Sequence, residues 1–418
     1  MYLYFLLIRI AALCGHKKAR ALVGGQSKTI GELTQSQESL KGAIWFHAAS
    51  VGEFEQARPL IERLRREQPS QKIVVTFFSP SGYEMRKDYA SADKVLYLPF
   101  ATRRNARRFL DALQPSMAIF VKYEFWPAYL RALKKRGIPT YSISAIFRPK
   151  QLFFLPWGKS HLALLKCFTH IYVQDEASQR LLAKYGIAHC SVAGDTRFDR
   201  MQELRDGKRK LNDISRQIIE QFVKDADHVI VAGSTWPKDE ELLVRYIKES
   251  EDIVDRGRIK LILVPHEIDE THMHYIFQLL QGRFMRYSVL AKGLETNGKC
   301  IMTPSNVLVI DAMGLLSSLY PYGQVAYVGG GFGAGIHNTV EAAAYGMPVL
   351  FGPNYQHFRE AIGLIQSGAA ASINDYRSLE ITMNETLLLH RQMGTRATAY
   401  VEAETGASNK IYNEIFHF

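Results

Sequence analysis

Cysteine is scarce in this chain. Only four occur in 418 residues (Cys14, Cys167, Cys190 and Cys300), too far apart for a CxxC or Cys/His metal spacing. So sparse a set does not look like a disulfide framework, and a reducing compartment is the default. Low-complexity tracts, RNA-binding aromatic motifs and zinc fingers are missing too, so nucleic acid is not expected as a partner. Acidic residues are in the minority: 41 against 52 Lys and Arg leave a formal charge of +11, which suits nucleotides or an anionic membrane face. A long apolar run is also lacking. The opening MYLYFLLIRIAALCGHKKAR is broken by Arg9 and too short to span a bilayer, and it has neither the basic start nor the cleavage site of a signal peptide. Bulky Leu13 before Cys14 argues against a lipoprotein. Residues 1–20 therefore read as an amphipathic, membrane-associated segment, or else as a helix packed on the first domain.

What the chain does have is apolar material, 47% of residues, enough for two α/β domains. Apolar runs at 43–47, 72–77, 94–98, 117–121, 140–144 and 170–173 alternate with helical patterns at 54–67, 102–113, 126–136 and 176–185. That alternation predicts a doubly wound parallel sheet. Composition turns charged at 201–213, and a second set of strands follows at 228–232, 260–264, 307–310, 325–328 and 348–351. Its helices are expected at 238–248, 270–280, 314–320 and 339–345. The predicted division is a membrane-associated segment 1–20, a Rossmann-like domain 21–205 and a second one 206–418, facing across a cleft. Ligands of such sheets sit outside the carboxyl ends of the strands.

The most informative stretch is 327–358, YVGGGFGAGIHNTVEAAAYGMPVLFGPNYQHF. A strand, a glycine loop containing Gly330 and Gly331, and a helix carrying Glu341 follow one another. Glycine N–H groups and a helix N-terminus favour an anion, and a carboxylate one turn on can reach ribose hydroxyls. Other strand ends add candidates. Ser50-x-x-Glu53 matches a capping box, yet it also places a carboxylate where a general base would stand. Lys122 and Glu124 precede Trp126-Pro127, and Arg148 and Arg197 each lie just beyond a strand. In the second half Ser234 and Thr235, His266 and Glu267, and the run Asp311 to Leu315 fall at equivalent places. Two tempting motifs fail. Asp225-Ala226-Asp227 precedes its strand and so lies at the wrong end of the sheet for a metal-held sugar nucleotide. The Gly329-x-Gly331-x-x-Ala334 pattern lacks the acid of a dinucleotide fingerprint after its next strand.

In order, these motifs resemble the 3-deoxy-D-manno-octulosonic acid (Kdo) transferases of lipopolysaccharide assembly. The stretches that carry the resemblance are WFHAASVGE at 45–53, Glu124-Phe125-Trp126-Pro127, Gly233-Ser234-Thr235, Asp311-Ala312-Met313-Gly314, His337-Asn338-Thr339-Val340-Glu341 and Phe351-Gly352-Pro353. The resemblance implies an α/β GT-B fold and inverting transfer of Kdo from CMP-Kdo to a lipid A precursor, without metal or cofactor. It puts the work at the cytoplasmic face of the bacterial inner membrane, with the anionic membrane surface as a partner. It makes Glu53 the general base, with Glu124 and Arg197 stabilising the transition state. The donor would be bound by Ser234, Thr235, His266, Glu267, Met313, Gly314, Leu315, Gly330, Gly331, His337, Asn338, Thr339, Val340 and Glu341. Phe153, Phe154, Leu155 and Trp157 are candidates to receive acyl chains, or to pack in the core. The chain departs from the family pattern at Lys122, His266, Glu267, Leu315 and Arg197. The alternatives are a UDP-sugar transferase or epimerase of the same fold, or a catalytically silent membrane-associated binding protein.

Overall fold

The computed structural model describes residues 2–203, 205, 211–250, 257–298 and 302–416. Cys300 and the charged stretch 206–210, where the domain boundary was expected, lie outside them. The chain divides into two compact units, 1–200 with 404–418, and 201–403.

The first unit holds seven strands: β1 (Ile44–Ala48), β2 (Ile73–Phe77), β3 (Lys94–Tyr97), β4 (Met117–Val121), β5 (Thr140–Ala145), β6 (His170–Val173) and β7 (Cys190–Val192). All pair in parallel, in the order β3-β2-β1-β4-β5-β6-β7. β1 reads IWFHA and every residue is buried, as a central parallel strand covered on both faces requires. Its side chains alternate between two cores. Ile44 and Phe46 join Phe54, Leu60 and Leu64 of the helix Val51–Glu67. Trp45 faces the other way, 4.9 Å from the Phe109 ring and 5.2 Å from that of Phe120.

The second unit repeats the plan with β8 (His228–Thr235), β9 (Ile259–Pro265), β10 (Met285–Arg286), β11 (Val307–Val309), β12 (Val325–Val328), β13 (Val349–Phe351) and β14 (Ala370–Ser372). The order is β10-β11-β9-β8-β12-β13-β14, again parallel throughout. The strand order reverses between β1 and β4 in the first sheet and between β8 and β12 in the second, where β10 also sits outside β11. Those switch points open a crevice at the strand carboxyl ends, where such sheets take ligands.

Two differences from the sequence reading concern the termini. The expected second domain ran from 206 to 418, but the chain carries its last helix, Ala407–Phe416, back to the first unit. Ile411, Tyr412 and Ile415 are buried there among Phe54, Leu60 and Leu64, at roughly 1.5–3 kcal/mol each. At the other end, the segment expected to stand apart at 1–20 belongs to the first unit and includes helix Tyr2–Leu13. Phe5 stacks 4.5 Å from Phe100, while Leu6, Leu7, Ile10 and Leu13 stay exposed. Among the described residues no helix is long and apolar enough to cross a membrane.

Candidate active site

Glu53 begins its work as a cap. It is the third residue of helix Val51–Glu67, and its backbone N–H donates to Ser50 Oγ at 3.4 Å. Its own Oε2 accepts the Ala49 N–H at 2.7 Å and the Ser50 N–H at 3.2 Å. The capping box read from the sequence is therefore present in both directions. It occupies one carboxylate oxygen only. Oε1 has no hydrogen-bond partner among the described residues, so the box holds the group still and leaves one oxygen to react.

The proton affinity of Glu53 fits that use. Burial, followed by the negative charge of Glu124, pushes its pKa up to about 7 against the pull of the Ala49 and Ser50 N–H groups and of His47. Glu124 follows β4, across the switch point from β1. It is only 9% exposed, and its Oε2 lies 2.9 Å from His47 Nε2 and accepts the Trp126 indole N–H. The other face of His47 rests on Thr76, with Nδ1 2.8 Å from Oγ1, and Thr76 also takes the Trp45 N–H at 2.8 Å. A buried chain from Trp45 to Glu124 thus fixes the second acid.

Arg197 stands near the amino end of helix Thr196–Glu203, beyond β7. Its Nε and Nη2 both donate to Asp195 Oδ2, at 2.9 and 2.7 Å. Gln56, on the same helix as Glu53, donates to Asp195 Oδ1 at 2.8 Å. Burial opposes the charge on Asp195, but Arg197 and these hydrogen bonds outweigh it and hold the carboxyl below its usual range. Thr196 Oγ1 closes the link with 2.6 Å to Gln56 O. His47, Thr76 and Asp195 are thus supports that sequence reasoning passed over, although His47 sits inside the stretch 45–53 and Asp195 two residues before Arg197. Phe154 is core rather than surface, and Phe153 packs 4.9 Å from Phe125; of the acyl candidates only Trp157 is well exposed.

In the second unit the predicted donor residues fall at the carboxyl ends of β8, β9, β11 and β12. One group is aromatic. The His266 ring stacks 4.9 Å from Trp236 and 4.2 Å from His337, and the Trp236 N–H donates to His337 Nε2 at 3.1 Å. Burial, then the neighbouring His266, pushes the His337 pKa down to about 4; burial lowers His266 as well. Glu341 forms another group with Ser317, whose hydroxyl donates to it. Gly314 adopts a left-handed φ of 83° in the β11 loop, and Met313 beside it is 67% exposed. Leu315 caps the short helix Leu316–Leu319. Thr339 and Val340 are fully buried, and Asn338 Oδ1 accepts the Val340 N–H at 3.2 Å. Thr235 is buried and donates to Glu240 at 2.9 Å, which His272 meets at 3.0 Å; Glu267 touches that network through its carbonyl, 2.9 Å from His272 Nδ1.

The glycine loop differs from the anion cradle expected of it. The Gly330 N–H donates to Asp239 at 2.9 Å, and those of Gly329, Gly333 and Gly335 go to carbonyls of Gly233 and Gly330. A Cβ on Gly331 would meet the Gly352 backbone at 2.6 Å, so its glycine serves chain-to-chain packing. Fully buried Asp239 organises the loop, accepting also the Tyr327 hydroxyl at 2.7 Å and the Trp236 N–H at 3.0 Å. No local pattern marks Asp239 in the sequence. The rejected Asp225-Ala226-Asp227 does precede β8, and Asp225 pairs there with Arg258 and Lys260.

Strain marks the same strand ends. Among the described residues five non-glycines have left-handed φ: Gln114 and Gln281 end helices, while Lys122, Ser144 and Ser234 lie at the ends of β4, β5 and β8. Such conformations persist only where surrounding structure imposes them.

Residues 24–200 match the family model described as 3-deoxy-D-manno-octulosonic-acid transferase (kdotransferase). The 3-deoxy-D-manno-octulosonic acid transferase of Aquifex aeolicus is 27% identical over 363 residues, covering 86% of this chain and 90% of the relative. That of Chlamydia trachomatis serovar A is 27% identical over 370 residues, covering 86% and 80%. Among solved structures, the UDP-GlcNAc 2-epimerase of Neisseria meningitidis shares the fold, with TM-score 0.64, 15% identity and coverage of 90% of this chain and all of that one. The chain is thus similar to the 3-deoxy-D-manno-octulosonic acid transferases, which are glycosyltransferases.

Proposed function

We propose that the protein transfers Kdo from CMP-Kdo to a lipid A precursor of the lipid IVA type, with inversion and release of CMP. The carrying observation is Glu53: one oxygen fixed by two backbone N–H groups, the other open, and a pKa raised to about 7. In this reading Glu53 takes the proton of the acceptor hydroxyl as that oxygen attacks the anomeric carbon and CMP departs. Glu124 keeps the affinity of Glu53 high, and Arg197, aimed by Asp195, stabilises developing charge. Glu341 holds the ribose in place of its present partner Ser317, and the His266–His337 stack offers a neutral aromatic face to the donor.

The same reading places the protein at the cytoplasmic face of the inner membrane. Exposed Leu6, Leu7, Ile10 and Leu13 enter the headgroup region, and Lys17, Lys18 and Arg20 meet anionic lipid. The test is mass spectrometry of products from purified protein, CMP-Kdo and tetraacylated precursor. A gain of one or more Kdo masses with stoichiometric CMP is expected. Turnover of a UDP-sugar, with CMP-Kdo untouched, would sink the assignment.

A further inference from the structure

A second concavity in the first unit has no part in the chemistry above. Helices Arg103–Leu113 and Pro127–Lys135 lie side by side, locked by Phe109 against Tyr129 at 5.7 Å. Between them is a pocket of about 990 Å³ whose wall carries Arg103, Arg107, Arg131, Lys135, Arg136 and His161. Asp111 offsets part of this charge, pairing with Arg136 at 2.6 Å and Arg107 at 3.7 Å. Arg103, Arg131 and Lys135 form no ion pair with a described residue. Several cations held together around a hollow repel one another unless an anion enters it, and guanidinium forks fit a phosphate bidentately. Helix Arg103–Leu113 also begins at this pocket, so its positive end adds to the field.

Place and surroundings narrow the ligand. Pro127 lines the pocket and follows Trp126, whose indole holds Glu124, so one wall of the groove is joined through a single residue to the support of Glu124. His161 comes from helix Lys159–Leu165, and the segment ahead of it exposes Leu152 and Trp157, the latter by 72%. An exposed indole on the segment that leads into His161 suits an amphiphile at a bilayer interface better than a free ion.

We propose that this groove recognises a phosphomonoester carried by the acceptor, resting on the reading that the acceptor is a phosphorylated glycolipid. The experiment uses the full-length Arg103→Glu/Arg131→Glu variant, with Arg103→Lys/Arg131→Lys as the charge-preserving control. Steady-state kinetics are run with the phosphorylated precursor and with the same precursor after phosphatase treatment. The charge reversal raises KM for the phosphorylated acceptor about tenfold or more, leaving kcat and the dephosphorylated KM unchanged, and the lysine control stays near wild type. Equal losses on both acceptors, with lost binding to phosphatidic acid vesicles, would mean that the groove reads bulk headgroups. That outcome, or no change at all, overturns the proposal.

If wild-type protein transfers nothing to either acceptor, the functional reading fails and the groove is judged alone, by binding of both precursors in detergent micelles. A preference for the phosphorylated form that the charge reversal removes supports the groove; equal binding overturns it.

Discussion

The two switch points share a topology and differ in their electrostatics. At β1/β4 two carboxylates are crowded together, and burial with like charge raises Glu53 to about 7. At β8/β12 two imidazoles are stacked on an indole, and burial with a like neighbour lowers His337 to about 4. One crevice keeps a group on the edge of ionisation; the other keeps its groups neutral at physiological pH. In the proposed reaction a proton is moved at the first, and a ligand is gripped at the second. The same parallel sheet supports either task because the chemistry resides in the loops after its strands.

The sharpest way to break this contrast is Glu53→Gln. It should lower kcat by about 10²–10⁴-fold while CMP still raises the melting temperature as in wild type. Near-normal kcat would remove Glu53 from the chemistry. Asp239→Ala should act oppositely. It strands the Tyr327 hydroxyl and the Gly330 and Trp236 N–H groups, costing about 3 kcal/mol or more in chemical denaturation, together with donor affinity. Unchanged stability would show that Asp239 does not hold the loop. Next, Glu341→Gln should raise the donor KM about tenfold with kcat intact, since a charged acceptor becomes a neutral one. A fall in kcat alone would instead place Glu341 in the chemistry.

Smaller effects concern pH. The acid limb of kcat/KM should fall near pH 7 in wild type and move lower in Glu124→Gln. It should not reach the ordinary carboxylate value, because burial is the largest cause of the shift. A limb that stays put would show that Glu124 does not act on Glu53. Stability carries opposite signs at the two crevices. The raised Glu53 contributes fully below pH 4.5, and its contribution is lost as pH rises to about 7. The depressed His337 contributes above pH 6.5, and its contribution is lost as pH falls to about 4. Denaturation curves of Glu53→Gln and His337→Phe against wild type should therefore diverge in opposite directions across that range.

How much of this could be read beforehand depended on how local the cause was. The Ser50-x-x-Glu53 box needs only four residues and was legible, as were the strand runs that became β1 and β12. β7 (CSV), β10 (MR) and β14 (AAS) were missed because, unlike the equally short VLV of β11 and VLF of β13, they hold no run of large apolar residues. The glycine loop was found but its purpose misread. Where its N–H groups go depends on Asp239 and Gly233, nearly a hundred residues away, and no local spacing encodes such a partner. Phe154 shows the same limit: four apolar candidates in a row do not say which one faces out. Arg197 was legible as a cation beyond a strand, but its clamp of Asp195 and Gln56 was not.

The returning helix Ala407–Phe416 sets an order of assembly. It covers helix Val51–Glu67, where Arg63 reaches Asn409 at 2.9 Å and Asn413 at 3.2 Å, and Asp199 receives the N–H groups of Gly406 and Ser408. On the ribosome, the helix that bears Glu53 emerges early and must wait, partly uncovered, until the entire second unit has been made. The segment that closes over it is the last of these elements to be translated. Completion of the first unit therefore reports that the second has already been synthesised.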